Sequence, residues 1–216
     1  MTRALALYGA VLRRAAAGGA ADVALVDAAA TRPPRRIEPA DWCGGLRPGD
    51  HSILARCRGA TLDVGCGPGR LTAALAAVGR TALGVDLSAE AVRQARRRGA
   101  PVHHGCVFSP VRGEGSWRHV LLADGNIGIG GDPYRLLRRC RELVAPDGDL
   151  LVELDPPGTG SWHGLVALRH GERTGPPFAW AVVAADDLDA LAREAGLRVL
   201  DRWADAGRWF ARLSAP

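Results

Sequence analysis

Three glycines at 65, 67 and 69 and a carboxylate at 86 have the residue types and spacing best suited to chemistry. The stretch Leu62-Asp63-Val64-Gly65-Cys66-Gly67-Pro68-Gly69-Arg70 lies where an apolar strand hands over to a helix. Glycine has no Cβ, so such a turn lets a ligand lie against the main chain. The helix start adds inward-pointing N–H donors. A second strand ends in Gly84-Val85-Asp86, which puts Asp86 about 20 residues past the first glycine, where an acid accepts both hydroxyls of a ribose. A dinucleotide fingerprint carries its third glycine at position 70; here Arg70 stands there and the glycine comes one residue early, which disfavours a nicotinamide oxidoreductase.

A second stretch, Leu121-Leu-Ala-Asp124-Gly125-Asn126-Ile-Gly-Ile-Gly-Gly-Asp132-Pro133, leaves a fourth strand. Ligands of doubly wound sheets sit beyond the carboxyl ends of the strands, near the switch between first and fourth. Asp124, Gly125 and Asn126 are therefore expected to line the junction of cofactor and acceptor, with Asp132 as a helix cap. For proton transfer, His51 and His163 are the better placed histidines, and Asp124 joins them as a catalytic candidate. His119 opens a strand at the wrong end of the sheet, and His103 and His104 lie in or near another. Histidines and acids show no metal-ligand spacing, so no metal is expected.

These residues need a frame. Strands are expected at 60–66, 81–87, 101–105, 119–123 and 149–154, alternating with helices over 71–78, 88–98 and 133–144, and Ser88 caps the second helix. Alternation of this kind implies right-handed crossovers and an α/β, doubly wound, seven-stranded, mainly parallel sheet. A helix over 186–194 and two strand-like runs around Asp205-Ala206-Gly207 close the chain; the short turn makes that pair a hairpin with an antiparallel last strand. The first thirty residues read as helical, Thr31 to Arg36 as a loop, and 156–177 as a loop rich in glycine and proline. Asp50 is expected to cap a short helix. Residues 1–58 are thus expected to be an N-terminal helical and loop cover, and 59–216 the main domain, with Trp42, Trp162 and Trp180 as candidate pocket walls.

Composition narrows the class. The 216 residues are 47% hydrophobic and 24% charged, which is globular and argues against disorder. All 28 basic residues are arginine, against 23 acids, for a net charge of +5. The arginines are scattered, and their densest clusters fall late in expected helices, where cations face the negative helix end and solvent; a nucleic-acid partner is disfavoured. Five cysteines without a CxxC pair point to reduced thiols. No stretch approaches the ~18 apolar residues of a membrane span, so a soluble, cytoplasmic protein is expected.

Asp63-Val64-Gly65-Cys66-Gly67-Pro68-Gly69 followed by Gly84-Val85-Asp86 resembles the first motif and companion acid of class I S-adenosylmethionine-dependent methyltransferases. The resemblance runs from about residue 58 to the C-terminus, closing hairpin included, and implies S-adenosyl-L-methionine as the cofactor. It implies that Asp63 holds the methionyl ammonium, directly or through water, and that Gly65, Cys66, Gly67 and Gly69 pack against the methionyl and ribose parts. Asp86 would bind the ribose hydroxyls and Leu87 would flank the adenine. The acid that often follows the third strand is missing from His104-Gly105-Cys106-Val107-Phe108, which leaves main-chain groups around Cys106 and Val107 for the adenine. Asp155-Pro156-Pro157-Gly158 resembles the tetrapeptide of amino-group methyltransferases, but it follows the fifth strand rather than the fourth and ends in glycine, so it reads as a turn at the pocket mouth.

The activity so implied is methyl transfer to an oxygen, nitrogen or carbon nucleophile of a small-molecule acceptor by a monomer or homodimer. The carbon is already activated, so alignment in a dry pocket matters more than a base. About 58 residues before the core are too few for a separate RNA-binding module. An RNA- or protein-directed enzyme and a non-catalytic cofactor binder remain the alternatives.

Overall fold

Short runs buried on both faces dictate the centre of the molecule, because a strand covered on both sides has no need of an exposed polar face. Thr61–Val64 is buried at all four positions, and Val120, Leu121, Leu122, Leu150, Leu151 and Val152 are wholly buried. The computed structural model describes residues 2–19 and 22–216. In chain order it runs α1 (Thr2–Ala16), β1 (Val23–Asp27), β2 (Arg35–Ile37), α2 (Pro39–Cys43) and α3 (Asp50–Leu54). An alternating core follows: β3 (Thr61–Val64), α4 (Arg70–Ala77), β4 (Ala82–Asp86), α5 (Ala89–Arg97), β5 (Val102–His104), β6 (Trp117–Leu122), α6 (Pro133–Leu143) and β7 (Val144–Leu154). Then come β8 (Trp162–His170), β9 (Arg173–Thr174), β10 (Phe178–Val182), α7 (Leu188–Glu194), β11 (Arg198–Asp205) and β12 (Arg208–Ser214).

The seven-stranded sheet has the order β11-β12-β7-β6-β3-β4-β5. β3 pairs in parallel with both β4 and β6, so the winding reverses between β3 and β6. β12 lies antiparallel to both β7 and β11, which is the expected closing hairpin. Its two-residue turn puts Ala206 at φ +51° and Gly207 at φ +77°, the pair of positive angles that suits the twist of the flanking strands. Local chemistry sets the helix starts: Ser88 accepts from the Ala91 N–H, and Asp132 accepts from the Arg135 N–H ahead of Pro133.

Three expectations are corrected. The segment read as helix through residue 30 is α1 only to Ala16; β1 follows, and residues 1, 20 and 21 of that reading lie outside the described residues. The stretch 156–177 is not a loop but carries β8 and β9, which with β10, β1 and β2 form a second, antiparallel sheet in the order β10-β8-β1-β2. β1 and β8 join the two halves of that sheet: Val23 to Asp27 pairs with His170 to Val166, while β1 also pairs with β2 and β8 with β9 and β10, which lie nearby in sequence. Asp50 does not cap α3; Gly49 holds that position and the Asp50 side chain is taken by arginines.

The second sheet stands over the carboxyl ends of the core strands. α1 fills the space beneath it, with Leu7, Tyr8 and Val11 packed against Val23, Leu168 and Phe178. Arg13 of α1 reaches Glu90 of α5 at 3.4 Å, and Arg35 of β2 forms a two-pronged pair with Asp155, just past β7, at 2.8 and 3.1 Å. The cover is thus bolted to both wings of the core. β10 also crosses closely over the loop after β6: a Cβ at Gly128 would lie 1.9 Å from the Ala181 carbonyl oxygen. The glycines of that loop are what allows the second sheet to sit so low.

Candidate functional site

β3 ends at Val64, and the chain turns through Gly65, Gly67 and Gly69, all at positive φ, into α4. Main-chain N–H groups of Gly65 and Cys66 both donate to the Val85 carbonyl, at 2.8 and 3.2 Å, so β4 holds the turn from beneath. A Cβ at Gly69 would meet those of Ala95 and Ala100 at 2.8 and 2.9 Å. The third glycine is therefore required one place before Arg70, where the turn rests on α5.

Two carboxylates flank this turn. Asp86, at the end of β4, accepts the Gly67 N–H at 2.9 Å on one oxygen and the Ser88 N–H at 2.7 Å on the other. Each oxygen keeps a lone pair for a further donor. Burial raises the Asp86 pKa, and those two N–H donors pull it back. Asp63 lies deeper. Its only described side-chain partner is the Thr72 hydroxyl, which donates at 2.7 Å, and among the described residues no basic side chain pairs with it. Burial lifts its pKa to about 7, with Thr72 opposing and the charges of Asp124 and Asp86 adding to the rise. The turn is an acidic seat.

Tyr8 of α1 closes the seat from above. A Cβ at Gly67 would lie 3.7 Å from its hydroxyl, and its ring meets Trp42 edge-on at 6.0 Å. Burial, followed by the charges of Asp86 and Cys66, pushes the phenol well above its ordinary pKa, so it stays protonated.

On the far side of the switch, Asp124 (φ +54°) and Gly125 (φ +80°) are the central residues of a turn closed by the Asn126 N–H donating to the Ala123 carbonyl at 3.0 Å. Two successive positive φ angles make it a type I′ turn, for which Asp-Gly is a favoured pair. It aims the Asn126 amide back at the glycine turn, where it donates to the carbonyls of Val64 and Gly65, each at 2.9 Å. The Asp124 carboxylate points into a cluster of arginines, accepting from Arg70 at 2.6 Å, Arg208 at 3.3 Å and Arg47 at 3.5 Å. Arg70 and Arg208 also pair with Asp50, which is wholly buried, and Arg208 pairs with Glu153 at 2.7 Å.

Residues 61–148, which run from β3 into the start of β7, match the family model described as a methyltransferase domain. Its surroundings agree with a methyltransferase fold. A SAM-dependent methyltransferase from Bacteroides fragilis, crystallised with S-adenosyl-L-homocysteine, superposes with a TM-score of 0.78 at 21% identity, over 96% of this chain and 93% of that one. The CcbJ methyltransferase from Streptomyces caelestis gives 0.61 at 20% identity, over 81% of this chain and 92% of that one. The 1,6-didemethyltoxoflavin-N1-methyltransferase of Burkholderia thailandensis gives 0.57 at 20%, over 77% and 78%. Likeness at such identities establishes the fold; no curated protein matches the sequence.

The structure gathers Asp63, the three glycines, Cys66, Asp86 and Asn126 around one turn, and sets Leu87 directly beyond Asp86. Past β5, Arg139 of α6 donates to the carbonyls of Val107 (2.9 Å) and Ser109 (3.0 Å), while the N–H groups of Cys106 and Val107 take no backbone acceptor among the described residues. The proton-transfer candidates are not brought together. His51 is exposed on α3, and no described hydrogen bond links it to the turn. His163 is exposed on β8 and lines two clefts of about 220 and 450 Å³ with Trp162. Asp124 is spent on arginines. Of the other histidines, His119 is buried between Asp149 (2.5 Å) and the Arg58 N–H (3.1 Å), a structural position. No group of histidines, cysteines and acids among the described residues could hold a metal, and no helix there is long and apolar enough to cross a membrane.

Sequence reasoning missed Tyr8, Thr72, Glu153, Arg47 and Arg208. Thr72 alone had a local signal, being a hydroxyl in the first turn of the helix that follows the glycines. The others reach the site from segments far away in sequence.

Proposed function

We infer that the chain binds S-adenosyl-L-methionine in the glycine turn and transfers its methyl group to a small-molecule acceptor. One observation carries this reading: Asp63 is buried, has no basic side-chain partner among the described residues, and lies within electrostatic reach of Asp124 and Asp86. Burying a charge without a counterion is costly, and a ligand bearing both an ammonium and a sulfonium offsets that cost. A pyrophosphate in the same place would be repelled.

The residues present fit such a cofactor. Asp63 would take the ammonium, Asp86 the ribose hydroxyls through its unused lone pairs, and Leu87 the adenine face. The free N–H groups of Cys106 and Val107 would meet the adenine edge. The bound cofactor supplies an activated methyl carbon; the protein supplies alignment and dryness. Tyr8 and the second sheet exclude water from above, and residues 1–58 together with β8 to β10 form the cover over the acceptor. Tyr8 is kept protonated, Asp124 is ion-paired and both candidate histidines lie at the surface, so none of these four stands ready to accept a proton. That favours an acceptor whose nucleophile is already available near neutral pH, such as an amine or ring nitrogen. The B. thailandensis neighbour is named for such a nitrogen. The protein would act in the cytoplasm.

Isothermal titration with S-adenosyl-L-methionine, S-adenosyl-L-homocysteine and NAD(H) tests the first half of this reading, with Asp86→Ala as the control variant. Uptake of the two sulfur compounds alone, weakened in the variant, supports it; no uptake by the intact protein overturns it. Salt-sensitive binding of RNA would replace the small molecule with a nucleic-acid acceptor.

A further inference from the structure

We propose that Glu153 is a positioning residue of the cofactor site, acting through Asp124 and Asn126 without touching the cofactor itself. The inference rests on the reading that the glycine turn receives S-adenosyl-L-methionine. Glu153 lies one residue before the end of β7, with its side chain 14% exposed. One oxygen accepts the Asp124 backbone N–H at 2.6 Å, and Arg208 grips both, Nε to Oε1 at 2.8 Å and Nη2 to Oε2 at 2.7 Å. Such a two-pronged pair leaves the carboxylate little freedom.

The Asp124 N–H matters because of the turn it belongs to. The turn's own hydrogen bond, from the Asn126 N–H to the Ala123 carbonyl, leaves the N–H of Asp124 to find an acceptor outside the turn. Glu153 satisfies the N–H of the first central residue. The turn then directs the Asn126 amide to the carbonyls of Val64 and Gly65, which closes the glycine turn against the switch point. A chain of contacts thus runs from Arg208 on the C-terminal hairpin, through Glu153 and the Asp124 main chain, to the floor of the seat.

The experiment uses the full chain in four forms: wild type, Glu153→Ala, Asn126→Ala and the double variant. Each is titrated calorimetrically with S-adenosyl-L-homocysteine, and amide hydrogen exchange is followed over 123–127. The positioning role predicts that Glu153→Ala weakens binding about tenfold and speeds exchange of those amides, while in the Asn126→Ala background the same change costs less than twofold. A role in stability alone lowers the melting temperature and leaves the two binding losses additive, which overturns the proposal, as does Glu153→Ala binding within twofold of wild type. Should Glu153→Ala not fold, Glu153→Gln takes its place: it keeps an acceptor for the N–H but loses the Arg208 pairing, and an intermediate loss that disappears beside Asn126→Ala is expected. Failure of the wild type to bind would count against the cofactor assignment instead.

Discussion

The backbone N–H of Gly67 donates to the Asp86 carboxylate across 2.9 Å, so the glycine turn and its companion acid are joined before any ligand arrives. Asp86→Asn keeps an acceptor but loses the charge. Hydrogen bonds to a charged group contribute about 1.5–3 kcal/mol, so S-adenosyl-L-homocysteine should bind roughly ten- to a hundredfold more weakly by calorimetry, with the fold intact by circular dichroism.

Asp63 links pH to both binding and stability. Its folded pKa, about 7, lies above its ordinary value, so the folded state prefers the protonated carboxyl. Folding stability is therefore eroded as pH rises from about 4, and the loss is complete above 7. Asp63→Asn removes this penalty and should melt at a higher temperature than wild type at pH 8 but not at pH 4. Cofactor affinity runs the opposite way: in wild type it should tighten between pH 6 and 8 as Asp63 ionises, and in Asp63→Asn that dependence should vanish.

Ala206 occupies φ +51° in the exposed hairpin turn, a left-handed conformation that a side chain with Cβ resists. Ala206→Asn should raise stability by about 0.5–1 kcal/mol in urea unfolding, leaving ligand affinity unchanged.

Gly128 has no room for even one methyl group, with the Ala181 carbonyl 1.9 Å from where a Cβ would sit. Gly128→Ala should push β10 off the loop and cost about 1–3 kcal/mol. Limited proteolysis should then cut within 156–180, where the wild type resists.

The core was legible because its signals are local. Ser88 and Asp132 cap the helices that follow them, the glycines announce the first crossover, and Asp205-Ala206-Gly207 announces the closing hairpin. The second sheet was not legible, because β1 is five residues long with little alternation and its partner β8 lies far along the chain, behind glycines and prolines that read as a loop. The arginine cluster was hidden for a related reason: Arg47, Arg70, Asp124, Glu153 and Arg208 come from five separate segments, and only the folded sheet makes them neighbours. Arg70 was noticed for what it excludes; its pairing with buried Asp50 depends on a segment whose role no spacing revealed.

Val23 pairs with His170, so the two halves of the roof are made at opposite ends of synthesis. A ribosome-tethered chain that has not yet exposed β8 possesses the glycine turn and both acids, while β1 has only β2 and α1 to rest against. The roof above the glycine turn is therefore completed only when a late strand pairs beside an early one.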